Sequence, residues 1–312
     1  GLWFSATFYR MENHIFSRRN LTIMMNLKVL FSPVLVFCLV LVLSLTSCNP
    51  LVVESVRKKD LKKDVVFVTQ AGEVVFRLSD ETPLHRNNFI KLVNQHFYDS
   101  LLFHRVINHF IIQTGDPDSK LAKAGAPLGE TDLPYTIPAE FNPNLFHKRG
   151  ALNAARDDNP DRASSSTQFT FVQGRVYTDS TLNIAEKRIN GWLAFNKVLH
   201  QPENKEIAAL YEGLRKQQTN SDSLTLISNK IKVLADEELK KGMLYKIPEE
   251  HRQVYKTLGG AAHLDQNYTV FGEVVKGMEV VDAIASVKTD SLDRPVNDVR
   301  IISAKLIKRK NY

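Results

Sequence analysis

The chain passes from strand-like to helix-like patterning and back again, and this order constrains its fold more than any other feature. Strand patterning begins at Asp64, where two β-rich runs flank Gln70-Ala71-Gly72-Glu73 and predict a hairpin. From Asp179 to Thr257, apolar residues recur instead at helical spacing among charged residues. Strand character then returns. We therefore predict one mainly β domain in two parts, 64–178 and 258–312, interrupted by an α-helical insertion at 179–257.

Two further helices are predicted within the β-rich parts. The first follows Thr82-Pro83, with Thr82 as the N-cap and Pro83 at the first helical position, and ends near Gln95. The second runs from about Met278 to Ser286. Additional strand candidates are "FHRVINHFIIQTGD" (103–116), "GALNAAR" (150–156), "STQFTFV" (166–172), "YTVFGEVV" (268–275) and "DVRIISAKLIK" (298–308).

The region before Cys48 has the layout of a bacterial export signal. A lysine precedes an apolar run at 29–45, which ends in Leu45-Thr46-Ser47-Cys48 and resembles a lipobox, the cleavage site of lipoprotein signal peptidase. We predict an upstream segment and lipoprotein signal peptide at 1–47, a lipidated Cys48 and a tether at 48–63. An uncleaved transmembrane helix is the alternative, because about 20 apolar residues span a bilayer.

The residue after the cysteine bears on location. Asn49 is not Asp, which favours the outer membrane over the inner one. The expected location is therefore the bacterial cell envelope, with a lipid anchor in the outer membrane and the protein facing the periplasm.

Cysteine, histidine and charge content narrow the chemistry. Cys38 and Cys48 both lie in the export signal, so the processed chain has no thiol for disulfides, metal binding or nucleophilic catalysis. The histidines show no HxH or HExxH spacing, so no metal site is expected. The net charge of +7 is spread thinly, without a basic cluster among aromatics, and predicts no nucleic-acid partner.

An arginine stands within the otherwise apolar strand candidate at 103–107. Strand alternation places Arg105 on the face opposite His104, and places Ile111 and Gln113 together on the following run. A hairpin could therefore present a guanidinium, an amide and an apolar side chain in one patch suited to a peptide. The alternative is an arginine that lies over its own apolar stem at a sheet edge.

Several motifs together resemble the cyclophilin family. They occur in the family's order: "FHRVINHFIIQTGDP", "GALNAAR", "STQFTFVQG" and "HLDQNYTVFGEVVKGMEVVDAI". The resemblance covers about 64–177 and 258–308. It implies a closed, eight-stranded antiparallel β-barrel capped by two helices, peptidyl-prolyl cis/trans isomerase activity, no cofactor, and proline-containing polypeptides as partners.

The resemblance also implies functional residues. Arg105 would be the catalytic arginine, assisted by Gln113 and Phe110. The groove for the proline-containing chain would be formed by His104, Ile111, Ala155, Arg156, Gln168, Thr170, His263, Leu264, Tyr268 and Phe271.

Some positions depart from the family pattern. Thr170 stands where an aromatic residue usually forms the floor of the proline pocket, His263 where Trp or Phe is usual, and Tyr268 where His is common. Thr114 replaces a usual glycine, and Asn108-His109 replaces a common Pro-Gly turn. These departures predict an isomerase that is slow or selective.

Two functions follow from these residues. The first is a lipid-anchored prolyl isomerase that aids the folding of exported proteins. The second is a non-catalytic, chaperone-like lipoprotein or scaffold that binds proline-containing segments. The insertion is interpreted either as helices packed on each other and on the barrel, or as a site for a protein partner or client.

Overall fold

The computed structural model describes residues 56–216, 222–242 and 244–312. The predicted signal peptide, the lipidation of Cys48 and the first half of the tether lie outside these residues. Residues 53–312 form one compact unit with a hydrophobic core of its own. No helix within the described ranges has the length and apolar content needed to cross a membrane.

Eight strands form one antiparallel sheet, and two short strands form a second. The strands are β1 (Lys63–Thr69), β2 (Gly72–Leu78), β3 (Arg105–Ile107), β4 (Ile111–Thr114), β5 (Thr136–Ile137), β6 (Ala151–Ala154), β7 (Ser164–Ser165), β8 (Phe169–Val172), β9 (Val270–Lys276) and β10 (Ile301–Lys308). The order in the large sheet is β10-β1-β2-β9-β6-β8-β4-β3, and β5 pairs with β7. The hairpin predicted around residues 70–73 is the β1–β2 turn.

The large sheet is an open half-barrel, so the prediction of a closed barrel was wrong. Edge strands β3 and β10 share no ladder, although Leu102 and Arg300, which precede them, form a single bridge. The free edge of β3 is covered by a loop, because the Val106 N–H donates to the Asp293 carbonyl at 2.8 Å. A three-residue strand whose outer N–H is already bonded offers β10 little to pair with.

Two helices pack against the core inside the curled sheet. They are α1 (Pro83–Asn94) and α6 (Met278–Ala285), and their buried residues join a dense cluster of aromatic rings from the strands. In that cluster, Phe67 and Phe76 meet edge to face at 5.0 Å. Burial of this aromatic surface stabilises the fold.

The start of α1 was predicted correctly, but its cap was not. Thr82 makes no capping hydrogen bond, and its buried hydroxyl has no partner among the described residues. The carboxylate of Glu140 instead accepts from the N–H groups of Leu84 and His85, both at 3.0 Å. A distant loop thus supplies the acceptor that a cap residue normally provides.

Four α-helices follow β8 in the described part of the insertion. They are α2 (Asp179–His200), α3 (Lys205–Lys216), α4 (Asp222–Leu239) and α5 (Glu249–Thr257). Helices α2, α3 and α4 share a small core that includes Phe195, Tyr211 and Ile231. A second cluster packs α2 and α5 against Tyr177 and Ala262 of the β-rich part. The boundaries 64–178, 179–257 and 258–312 remain predictions.

The two ends of the insertion meet at its base. Arg175 and Gly260 exchange backbone hydrogen bonds of 3.0 Å in an isolated bridge. Gly260 has φ +157°, and a Cβ there would lie 2.2 Å from the carbonyl oxygen of His147. The close approach therefore requires glycine. The insertion leaves and rejoins the β-rich part at one fixed point beside the residues predicted to bind substrate.

Candidate active site

Arg105 opens β3 and lies directly across from Gln113 of β4. Its Nη1 donates to Gln113 Oε1 at 3.4 Å, and its Nε lies 3.8 Å from Asp293 Oδ2. The side chain is 41% exposed, so its remaining donors can reach a bound chain. Ile111 and Gln113 share the predicted face, but Ile111 is buried. The structure therefore brings the arginine and the amide together as alternation predicts.

A chain of amides fixes the orientation of Gln113. Gln168 is buried, and its Nε2 donates to the carbonyls of Gly129 at 2.9 Å and Thr131 at 3.0 Å. Its Oε1 must then accept, and Gln113 Nε2 donates to it at 3.0 Å. The oxygen of Gln113 consequently faces Arg105, because an amide has one acceptor end and one donor end.

His104 is a buried neighbour of Arg105. It is 4% exposed, and neither ring nitrogen is hydrogen-bonded to a described residue. Burial, with a further contribution from the charge of Arg105, lowers the pKa of His104 to about 4. The ring is therefore neutral at pH 7. It faces the backbone at Gly129, where a Cβ would lie 3.5 Å from the imidazole.

Phe110, in the turn between β3 and β4, forms a half-buried apolar surface with His263 and Leu264. The rings of Phe110 and His263 stack with centroids 5.2 Å apart and planes at 29°. Phe110 and Leu264 pack on a small buried cluster that includes Val172 and Val270. Burial, followed by the charge of Arg188, lowers the pKa of His263 to about 4. His263 is thus a neutral residue of the groove wall at pH 7.

Two predicted groove residues lie deeper than expected. Thr170 is buried, and its hydroxyl donates to Asn153 Oδ1 at 2.6 Å. Phe271 is 2% exposed and packs in the main core against Phe89, with ring centroids 5.5 Å apart. Phe271 therefore does not line the groove, because its strand position faces the inside of the sheet.

A cleft of about 860 Å³ lies beside the amides of Gln113 and Gln168. Four residues that the family resemblance assigns to the site line this cleft: Gln113, Gln168, Ala155 and Arg156. The Arg156 guanidinium lies 5.3 Å from the Tyr268 ring centroid, a cation–π contact, and Nη2 donates to Asn267 Oδ1 at 2.9 Å. Arg156 is therefore held in place rather than free to move.

Three side chains that shape the site were not predicted from the residue pattern. Asp293 reaches Arg105 from a loop before β10 and has φ +65°, an uncommon backbone conformation for a non-glycine residue. Arg215 and Lys216, at the end of α3, line the cleft, and Arg215 Nη1 binds Asp157 Oδ2 at 2.9 Å. Each contact depends on long-range folding, which residue spacing does not report.

Comparisons with known proteins give one consistent result. The family model for the cyclophilin type peptidyl-prolyl cis-trans isomerase/CLD matches residues 65–207 and 240–306. A putative peptidyl-prolyl cis-trans isomerase of Staphylococcus haemolyticus is 27% identical over 246 residues, or 78% of this chain and 91% of that protein. A protein of the same description from Staphylococcus aureus (strain USA300) is 26% identical over 240 residues, covering 77% and 89%.

Solved structures give a weaker similarity. A crystal structure of a Cryptosporidium parvum cyclophilin type peptidyl-prolyl cis-trans isomerase has 15% identity and a TM-score of 0.45, covering 80% of this chain and 99% of that one. The matched ranges of the family model leave out residues 208–239, which hold most of α3 and all of α4.

Proposed function

The chain belongs to the cyclophilin-type peptidyl-prolyl cis-trans isomerase family, and on this premise we propose that Arg105 accelerates rotation about X–Pro bonds. The observation that carries the proposal is the chain of contacts from Gln168 through Gln113 to the half-exposed guanidinium. The Arg105 guanidinium is a charged donor held by the half-buried amide of Gln113. Such a donor suits a reaction whose transition state differs from its ground states mainly in amide geometry.

Resonance in the X–Pro amide creates a barrier of roughly 20 kcal/mol to rotation. Twisting the C–N bond breaks this conjugation, and the proline nitrogen becomes pyramidal and basic. The Arg105 guanidinium donates to that nitrogen and stabilises the twisted state more than either planar state. Arginine suits this role because it remains charged and presents rigid donors. An acceleration of about 10⁵ requires about 7 kcal/mol of such differential stabilisation.

The other groove residues hold the chain on either side of the rotating bond. The Phe110, His263 and Leu264 surface takes the proline ring, while Gln113 and nearby backbone groups bind the preceding carbonyl. Immobilising one side while the other rotates reduces the entropy lost on reaching the twisted state. No proton transfer is required, and the neutral rings of the buried His104 and the half-buried His263 fit this chemistry.

We propose that the substrates of this activity are exported proteins that fold at the bacterial cell envelope. Lipidation of Cys48 would anchor the protein in the outer membrane, facing the periplasm, where newly exported chains fold. Metabolic labelling with a fatty-acid analogue tests the anchor. The wild-type protein should be labelled and Cys48→Ser should not, and equal labelling of both would contradict lipidation at Cys48.

A non-catalytic binder of proline-containing segments is the second candidate, and Thr170 favours it. The family pattern places an aromatic ring at this position, whereas Thr170 turns its hydroxyl to Asn153. The proline pocket thus has a smaller apolar floor. Binding without catalysis requires only that the planar ground states fit the groove.

The test is the cis-to-trans rate of a short Ala–Pro peptide. Residues 53–312 form a compact unit, so this segment is assayed beside the full chain in lipid nanodiscs. We expect clear acceleration by wild type, loss of about a hundredfold or more in Arg105→Ala, and partial activity in Arg105→Lys. Arg86→Ala, which removes an arginine of α1, is the control. Equal rates for Arg105→Ala and wild type would exclude the proposed role.

A further inference from the structure

A second cavity, of about 400 Å³, lies within the helical insertion. Its floor is formed by three aromatic residues, Trp192 and Phe195 of α2 and Tyr211 of α3. Phe195 meets the other two rings edge to face at 6.1 and 5.6 Å. The volume is in the range of cavities that bind ligands in proteins.

The rim of this cavity is charged. Tyr211 is 7% exposed and meets Phe195 edge to face. Four exposed charged side chains stand around the cavity without an ion pair in the described part of the chain: Asp158, Arg188, Lys232 and Asp236. Elsewhere on the insertion, charges such as Glu186 with Arg252 and Lys197 with Glu238 are paired.

A glycine inside α2 opens towards the same cavity. Gly191 lines it, and a Cβ added there would meet no atom within 4 Å. Glycine in a helix interior lowers stability relative to alanine, and no close packing in this structure requires it. A ligand that approaches the helix backbone would use this opening.

The cavity adjoins the cleft that Gln113 and Gln168 line, through residues close to one another in the chain. Neighbouring residues Asp157 and Asp158 line the cleft and the cavity respectively. One face of α3 also borders both the cleft and the cavity, because Arg215 lines the cleft and Tyr211, four residues earlier, lines the cavity. The ion pair between Arg215 and Asp157 links α3 to the loop that holds Asp157 and Asp158.

We propose that the aromatic cavity of the insertion binds an apolar side chain of the same extended polypeptide whose X–Pro bond lies at Arg105. This inference rests on the proposed function and extends it. An aromatic floor takes the side chain, and a rim of unpaired charges of both signs suits the carbonyls and N–H groups of a polypeptide. A single anion or cation would require a rim of one sign. The insertion thus selects unfolded clients that carry an apolar residue at a fixed distance from proline.

Trp192 provides a direct readout, because the chain has two tryptophans and Trp3 lies outside residues 53–312. The probes are tryptophan-free peptides with one proline and one phenylalanine, three to eight residues apart, which span about 10 to 28 Å when extended. Matched peptides carry serine instead of phenylalanine. At the favoured spacing, the phenylalanine peptide should shift Trp192 emission to shorter wavelength and bind about tenfold more tightly than its serine partner.

Two glycines of the insertion supply a matched pair of variants. Gly191→Leu fills the cavity, whereas Gly213→Leu changes an α3 glycine that also has open space at Cβ and does not line it. Both gain helix propensity. The preference for phenylalanine over serine should fall about tenfold in Gly191→Leu and stay within about twofold in Gly213→Leu. Equal binding of the two peptides by wild type, or equal effects of the two variants, would overturn the proposal.

A further comparison identifies the occupant. A response seen with residues 53–312 but lost in the full chain would assign the cavity to residues 1–52 and also overturn the proposal. Peptide binding is measured without turnover, so its outcome is separate from the isomerase assay. Absence of catalysis on the short Ala–Pro peptide would contradict the proposed function, whereas absence of the Trp192 response would contradict only the second site.

Discussion

Replacing Gln168 by methionine should weaken both the fold and the active site, by amounts that its contacts set. The Gln168 amide makes hydrogen bonds to Gly129, Thr131 and Gln113, between 2.9 and 3.0 Å long. Each contributes about 1 kcal/mol net, so Gln168→Met should lose about 3 kcal/mol of unfolding free energy. For a unit of this size that corresponds to a fall in Tm of roughly 6–12 °C.

The same change should reduce catalysis, because Gln113 loses the partner that fixes its orientation. If the Arg105–Gln113 contact contributes about 1 kcal/mol to the transition state, kcat/KM falls about fivefold. Thermal unfolding and the short-peptide assay, run below the lowered Tm, measure the two effects separately.

Glu186→Gln is the control for a general loss of stability. Glu186 is buried in α2 and accepts from Arg252, Lys246 and the Ile247 N–H. Loss of its charge should lower Tm and leave kcat/KM on the short peptide unchanged. If Gln168→Met keeps the wild-type kcat/KM, the contacts from Gln168 through Gln113 to Arg105 do not support catalysis and this reasoning is refuted. An equal loss in Glu186→Gln would attribute the effect to stability alone.

Three further predictions concern other contacts. Asp293→Asn should lower kcat/KM about two- to fivefold, since an exposed ion pair contributes at most about 1 kcal/mol. The difference in kcat/KM between wild type and Asp293→Asn should shrink at high salt. A difference that does not depend on salt would contradict the ionic contact between Arg105 and Asp293. Because the pKa of His104 falls to about 4 on folding, the unfolded chain binds more protons than the folded chain between about pH 4 and 6.5. The free energy of unfolding should therefore drop as pH falls through this window. His104→Gln should make that dependence shallower in unfolding measured at several pH values, and an unchanged slope would contradict the role of His104. Gly260→Ala should lower Tm markedly, because its Cβ would lie 2.2 Å from a backbone oxygen; an unchanged Tm would show that the base of the insertion adjusts.

Features encoded by local periodicity could be predicted from the sequence. Alternation placed Arg105 and Gln113 on one face, and the structure pairs them across β3 and β4. Pro83 marked the first residue of α1, and the Gln70–Glu73 stretch marked the β1–β2 turn. These results depend on residues a few positions apart, where backbone geometry decides the outcome.

Features that depend on distant segments could not be predicted in this way. The sheet stays open because Asp293 bonds Val106 from a loop 187 positions downstream. Glu140 replaces Thr82 as the acceptor at the start of α1 for the same kind of reason. Phe271 was placed in the groove by family position, whereas core packing buries it. The approach of α3 to the cleft through Arg215 has no periodic signature at all.

Exchange NMR on an Ala–Pro peptide at equilibrium, with a catalytic amount of protein, tests the role of Arg105 most directly. A catalyst accelerates both directions equally and leaves the cis/trans ratio unchanged, whereas a binder shifts that ratio only at stoichiometric concentration. We predict strong acceleration in both directions by wild type and by Arg86→Ala, and near-uncatalysed exchange with Arg105→Ala. Undiminished exchange with Arg105→Ala, or no acceleration by wild type, would contradict the account.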